Sequence, residues 1–189
     1  MTLSFDPLRT RSAPIPASVQ ARIKRSGGRV IVPGDADYEQ ARLVYNRLHD
    51  PHPHALVRTL DPIAIHEAIS HCADLGQSVA VRGGGHHIGG GSGGDGGIVI
   101  DFSAYRKVNY CPTTQVCRVQ PGARLADVDR ALAAHGRVIP TGTVSDTGIA
   151  GLTFGGGIGW LAGPLGLNCD HLVGANLLCA NGALLQAEA

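Results

Sequence analysis

The chain has 189 residues, 43% of them hydrophobic, with 16 Lys+Arg against 15 Asp+Glu and a net charge of +1. That suits one domain, or two small subdomains around a shared core, and excludes wholesale disorder. With no clustered basic excess and no apolar run near the ~20 residues of a membrane helix, neither a nucleic-acid nor a membrane partner is expected.

The N-terminal Met1-Thr-Leu-Ser-Phe-Asp-Pro has no basic segment followed by an apolar one, so no secretory signal is expected. Ala17 to Lys24 reads as a short helix, and Arg29 to Val32 as a strand closed by Pro33-Gly34. Asp37 to Leu48 puts Tyr38, Ala41, Val44, Tyr45 and Leu48 on one helical stripe. His49, His52 and His54 follow, split by prolines and without Cys or carboxylate ligands at helical spacing; a solvated turn is expected rather than a metal site. Ala55 to Arg58 is a strand. Asp61 to Leu75 is a helix with Pro62 in its first turn, Ile65, Ala68, Ile69 and Cys72 inward, and Gly76 at its end. Ser78 to Arg82 returns as a strand, so this part reads as βαβ with parallel strands and a right-handed crossover.

Beyond a glycine run the texture changes. Ile98 to Phe102, Lys107 to Tyr110 and Gln115 to Gln120 are short strands with tight links, for which antiparallel pairing is expected. Leu125 to His135 is helical with Leu125, Val128 and Leu132 inward. Leu172 to Cys179 and Ala183 to Gln186 make a hairpin around Asn181-Gly182, a type I′ turn signal. The fold class expected is α+β: a small parallel βαβ subdomain, then an antiparallel-sheet subdomain. His66, His71 and His135 take solvent or cap roles. Five cysteines, odd in number and without a CxxC pair, suggest reduced thiols and a cytoplasmic setting.

Ten of the 27 glycines fall between Arg82 and Gly97, directly off a strand. Glycine there lets backbone N–H groups approach a ligand, and successive N–H groups form a nest for a phosphate. GxGxxG occurs from Gly89 and again from Gly91, but no helix follows, so the dinucleotide fingerprint fails its context; the Walker pattern is absent. A plain flexible linker would not carry Arg82 and His86-His87 off a buried strand. A second run, Thr141 to Leu161, alternates small residues with Ile149, Leu152, Phe154, Ile158 and Trp160, as for backbone wrapped around something large and flat. Two such loops in one small domain suggest a single extended ligand with phosphates at one end.

Five blocks in order carry a resemblance: Val-Arg-Gly-Gly-Gly-His-His at 81–87, Val-Ile-Asp-Phe-Ser at 99–103, Val-Gln-Pro-Gly-Ala at 119–123, Gly-Ile-Ala-Gly-Leu-Thr-Phe-Gly-Gly-Gly-Ile-Gly-Trp-Leu at 148–161, and Gly-Leu-Asn-Cys-Asp-His-Leu at 166–172. Together they resemble the FAD-linked oxidases with a p-cresol methylhydroxylase-type FAD-binding domain, in the berberine bridge enzyme and 6-hydroxy-D-nicotine oxidase branch. The resemblance implies that His86 matches the histidine bonded covalently to the 8α carbon of the flavin. It also implies that Arg82 belongs to the cofactor site, that Gly83, Gly84, Gly85 and His87 hold the pyrophosphate, and that Gly122, Thr141, Gly142, Thr147, Gly148, Ile149, Gly151 and Leu152 line the rest of the trough. Val173 to Cys179 would face the adenine. Trp160 is expected to pack against the domain wall, and Asp101 to be a strand-end turn residue without a catalytic part.

Two departures follow. Members tethered twice carry a cysteine two residues after the glycine that is Gly142 here; this chain has Val144, so any tether would be through histidine alone. Family enzymes also run to more than twice this length, with a second domain that covers the flavin and supplies the catalytic base, and no counterpart of it is recognised here. Residues 1–50 are expected to be a helical lead-in packed on an FAD-binding domain at 51–189. Three functions stand beside one another: the FAD module of an oxidase, a catalytically silent FAD-binding fragment needing a partner chain, and a remnant that binds no flavin.

Overall fold

A computed structural model describes residues 14–188; the start of the chain, where no secretory signal is expected, lies outside them. Helix α1 (Ala17–Arg25), strand β1 (Arg29–Ile31) and the short α2 (Tyr38–Arg42) lead into β2 (Ala55–Arg58), α3 (Pro62–Asp74), β3 (Val79–Arg82) and β4 (Ile98–Asp101). β5 (Val108–Cys111), β6 (Val116–Val119), α4 (Leu125–Ala133), α5 (Ile149–Phe154) and α6 (Ala162–Leu165) follow, then a 3-10 turn at Asn168–His171, β7 (Gly174–Leu178) and β8 (Leu184–Glu188). The class is α+β.

The first sheet has the order β1-β2-β4-β3. β2 and β3 are both parallel to β4, and β1 is antiparallel to β2. Alternation along these strands sends Ala55, Val57, Ile98 and Ile100 towards α1 and α3, and Leu56 and Val99 towards Tyr38 and Ala41 of α2. Helices cover both faces, so all four residues of β4 are buried. α3 begins where Asp61 accepts hydrogen bonds from Ile63 N (3.0 Å) and Ala64 N (3.3 Å), with Pro62 in the first turn. Its buried Ala64, Ile65, Ala68 and Cys72 recur at helical spacing. A second core lies under α4, where Leu125, Val128 and Leu132 meet Ala123, Ile149 and the β5–β6 hairpin.

Three expectations need correction. Ile98–Asp101 is not an antiparallel strand: it inserts between β2 and β3, because the glycine run gives the chain the length to cross back into the parallel layer. The antiparallel part is two separate hairpins, β5–β6 and β7–β8. The helix expected over Asp37 to Leu48 ends at Arg42, and Leu43 is extended (φ −62°, ψ 140°). The reason is competition. The carbonyls of Ala41 and Arg42, which a longer helix would offer to residues 45 and 46, accept from the Arg82 guanidinium instead, and Tyr45 N donates to Gly85 O (3.0 Å). Val44 is still buried, but Leu48 is 91% exposed. The last hairpin does not close with a two-residue turn. Cys179 N donates to Ala183 O across three residues, with Gly182 at φ +83° and Asn181 outside the left-handed region, the pattern of a three-residue loop.

Candidate functional site

The first glycine loop leaves β3 at Arg82 and is no free linker. Arg82 is 4% exposed and donates from Nε to Ser92 O (3.1 Å) and from Nη2 to Arg42 O (3.2 Å), in addition to Ala41 O. Burial lowers its proton affinity, with Asp101 opposing and Arg58 adding to the shift. Farther along, Ile88 O accepts from Asn46 Nδ2 (2.6 Å) and His49 Nε2 (3.1 Å), and Asp95 accepts from His52 N (2.7 Å). The 49–54 segment, expected to be a solvated turn, is thus, together with Asn46, the platform to which the loop is fastened.

At its near end the loop meets the second glycine run backbone to backbone. A Cβ at Gly84 would collide with the backbone of Gly148, and one at Gly148 with the backbone of Gly84. Only glycine at both positions permits this crossing. Gly83 faces Pro121 O in the same way. Among the described residues, no acceptor takes the backbone N–H groups of Gly83, Gly84, Gly85, His86 or His87. Five successive unspent donors are a ready nest for an anion.

The two histidines diverge. His87 is exposed, and its Nδ1 accepts from Gly91 N (3.1 Å), so its ring folds back over its own loop. The His86 side chain is only 15% exposed and turns the other way, stacked on Tyr45 with ring centroids 4.0 Å apart and 17° between planes. Thr147 Oγ1 lies 3.5 Å from its Nδ1. Asp146 Oδ1 lies 3.1 Å from its Nε2, yet outside hydrogen-bond geometry, so Nε2 is buried with no hydrogen-bond partner. His86 opens onto a cleft of ≈ 470 Å³ lined also by Tyr45, Gly84, Gly85, Arg82, Arg124 and Asp146. Asp101 sits below it, fully buried, accepting from Arg58 Nε (2.7 Å) and Ser103 N (3.0 Å), the turn role expected of it.

The second loop is held by Asn168, 4% exposed, which donates to Pro140 O (2.7 Å) and pairs with Thr153 of α5. Gly142 and Thr141 pack against Leu152 and Gly159, and Ile149 N donates to Ala123 O (2.9 Å). Gly122 lies against Phe102 O, beneath the junction. Gly151 is exposed, and Val173, 62% exposed, lines no part of the His86 cleft. Trp160 corrects an expectation: it is 86% exposed and packs on no wall. Phe154 (69%) and Ile158 (75%), close to it in the chain, are exposed as well. Tyr45, Asp146 and Asn168 were not foreseen as site residues. The signal that could have found Asp146 is its isolation: between Arg137 and Asp170 no other residue is charged.

The unspent nest, the glycine crossing and the buried histidine nitrogen fit a flavin dinucleotide, and comparison with known proteins places the chain accordingly. The sequence profile of the FAD binding domain matches residues 53–188. An FAD-linked oxidoreductase of Penicillium ochrochloron is 33% identical over 77% of this chain and 33% of its own length. (R)-6-hydroxynicotine oxidase of Paenarthrobacter nicotinovorans is 28% identical over 85% of this chain and 35% of its own. Among solved structures, 6-hydroxy-D-nicotine oxidase from Arthrobacter nicotinovorans superposes with a TM-score of 0.81 at 28% identity, covering 85% of this chain and 36% of that one. The Physcomitrella patens BBE-like 1 protein gives 0.80 at 30%, covering 90% and 37%. The chain belongs to the FAD binding domain family, in the branch of FAD-linked oxidoreductases that holds the 6-hydroxynicotine oxidases and BBE-like proteins. It spans about a third of the length of the curated relatives it matches.

Proposed function

We propose that this chain is the FAD module of an oxidase that oxidises a small organic substrate by hydride transfer, with FAD tethered through His86 alone. The observation that carries the reading is His86 itself, whose mostly buried ring enters the cleft beside five unspent backbone donors. Bound there, FAD supplies the two-electron acceptor for the substrate's hydride, with oxygen as the final sink. Gly83, Gly84, Gly85 and His87 hold the pyrophosphate through N–H groups. Arg82 keeps that loop in place through three backbone carbonyls. Gly122, Thr141, Gly142, Thr147, Gly148, Ile149, Gly151 and Leu152 line the trough, with Val173 on the adenine side. A bound flavin would be tethered by a His86 ring nitrogen in place of one hydrogen of its 8α methyl, a two-electron oxidation whose two protons would go to solvent and whose electrons would go by way of the flavin to oxygen. Val144 offers no thiol for a second bond.

Residues 51–189 form the FAD-binding unit in this reading, and 1–50 the lead-in, whose α1 packs on α3 and whose β1 extends the sheet. Five free thiols favour the cytoplasm. Among the described residues no helix is long and apolar enough to cross a membrane.

A second reading, a silent FAD-binding fragment that needs a partner chain, draws on the exposed Phe154, Ile158 and Trp160, which nothing in the described structure covers. Visible spectra before and after acid precipitation test the tether. Yellow colour that stays with the precipitate, lost in His86→Ala and kept in His87→Ala, is expected. A flavin mass on the peptide carrying His87, or on a cysteine, sinks the assignment. A bound flavin that neither amines, alcohols nor sugars reduce favours the fragment.

A further inference from the structure

The second glycine run contains one charged side chain, and it reaches the one buried histidine of the cleft. Asp146 lies in a tight turn closed by Thr147 N donating to Val144 O (3.0 Å). The turn is fastened to the start of α4, where Leu125 N donates to Thr147 O (3.0 Å) and Ala126 N to Ser145 O (2.9 Å). The carboxylate is thereby carried on fixed backbone, half in solvent at 53% exposure, and has no lysine or arginine partner among the described residues. Its Oδ1 is 3.1 Å from His86 Nε2. Tyr45 stacks on one face of the ring, and the Thr147 hydroxyl lies 3.5 Å from Nδ1.

We propose that Asp146 is the positioning residue of His86, holding the imidazole with its proton on Nε2 so that Nδ1 carries the lone pair. Electrostatics sets the preference. Which nitrogen of a neutral histidine bears the proton is set by the group facing the other atom. With the proton on Nδ1, the Nε2 lone pair would lie 3.1 Å from a carboxylate oxygen, at a contact buried on the histidine side, lone pair against anion. With the proton on Nε2 the same contact is attractive, and a small ring rotation completes it as a charge-assisted hydrogen bond. Thr147 then donates its hydroxyl to Nδ1. Carboxylates that hold an imidazole in one tautomer and raise its basicity act in this way at other histidine sites. The consequence for the tether rests on the function proposed above: the nitrogen made electron-rich is Nδ1, and the replaced ring proton never has to leave it.

Two readouts keep the ideas apart. Histidine-selective 15N NMR of the flavin-free protein, with the His86 signals assigned by their loss in His86→Ala, reports the tautomer without any cofactor. The wild type is expected to show a protonated Nε2 and an unprotonated Nδ1. Asp146→Ala moves both signals towards a mixture, Asp146→Glu restores the wild-type pattern, and Asp146→Asn, which keeps an oxygen acceptor without the charge, falls between. A wild-type proton on Nδ1, or a pattern indifferent to all three substitutions, overturns the proposal; should the alanine variant not fold, the Asn and Glu variants decide it. The second readout is the rate at which acid-stable flavin accumulates on added FAD. Asp146→Ala should slow it by about 10- to 100-fold, the usual cost of losing the group that orients a ligating imidazole, with Asp146→Glu recovering most of it. An unchanged rate overturns the role of Asp146. Failure of the wild type to form any adduct instead removes the tether, and the NMR pattern still decides the tautomer.

Discussion

Strands β4 and β8 are both short and rich in aliphatic residues, Ile-Val-Ile-Asp against Leu-Leu-Gln-Ala-Glu, yet every residue of the first is buried and every residue of the second exposed. β4 lies between two parallel partners under helices on both faces, whereas β8 pairs only with β7. The hairpin is tied to the rest chiefly at its tip, where the ring of His66 on α3 lies against Gly182 and its Nδ1 is 3.2 Å from Ala180 O. The longer part of the chain, up to Thr153, builds the buried clusters of the two cores. The shorter C-terminal part, from Phe154 onward, presents apolar side chains, Phe154, Ile158, Trp160 and Leu184 among them, that no described residue buries. The glycine crossing at Gly84 and Gly148 joins the two glycine loops beside that part, and the proposed flavin site lies at that seam.

The largest effect is expected at the seam. Gly84→Ala forces a methyl into the backbone of Gly148 and should cost more than about 3 kcal/mol, above the usual range for overpacking, because neither backbone can withdraw. Gly151→Ala, in α5 with open space around it, should be neutral or stabilising by up to ~1 kcal/mol. Equal urea midpoints for the two variants would mean that the loops do not cross. Next comes the contrast between strands. Ile100→Ala should lower stability by about 3 kcal/mol through lost burial and a cavity. Leu185→Ala should stay within about 0.5 kcal/mol in this chain. A large loss at Leu185 would show that β8 is covered in solution.

FAD at a hundredfold excess over its dissociation constant should add about 2.7 kcal/mol through linkage. FMN and riboflavin should add far less at the same concentration, since they lack the diphosphate for the nest. A melting temperature that responds equally to all three would remove the nest from the argument.

The smallest effect expected lies away from the seam. Asp127 accepts from Nε and Nη2 of Arg106 (2.7 and 2.8 Å) and from Arg124 N (2.9 Å) at the start of α4. The Arg106 hydrogen bond is the main reason its carboxyl lies below the ordinary range, with Arg124 N contributing. A depressed folded-state value means that its stabilisation is complete above the unfolded carboxylate value near ~4 and is lost as pH falls through the folded one. Asp127→Asn should therefore cost about 1 kcal/mol at neutral pH as a weakened cap and flatten the acid limb of the stability curve. An unchanged acid limb would show that the pair is inert.

Elements whose burial pattern is local were legible in the chain. Pro62 after Asp61 marked the start of α3, the spacing of Leu125, Val128 and Leu132 marked α4, and the ordered glycine blocks marked the cofactor class. Where the outcome depended on a distant partner, the sequence pattern misled. The stripe from Tyr38 to Leu48 is a fair helix until Arg82, forty residues on, takes the carbonyls that would continue it. Ile98 to Asp101 has the texture of any buried strand, and only sheet assembly could place it between β2 and β3. Asp146 had no motif to announce it, because its meaning lies in a 3.1 Å approach to a ring sixty residues earlier. The chain by itself determined which backbone is bare and which histidine follows three glycines. Only the tertiary structure decided which way each ring turns, since backbone donors and carbonyls go to whichever partner the assembled fold brings within reach.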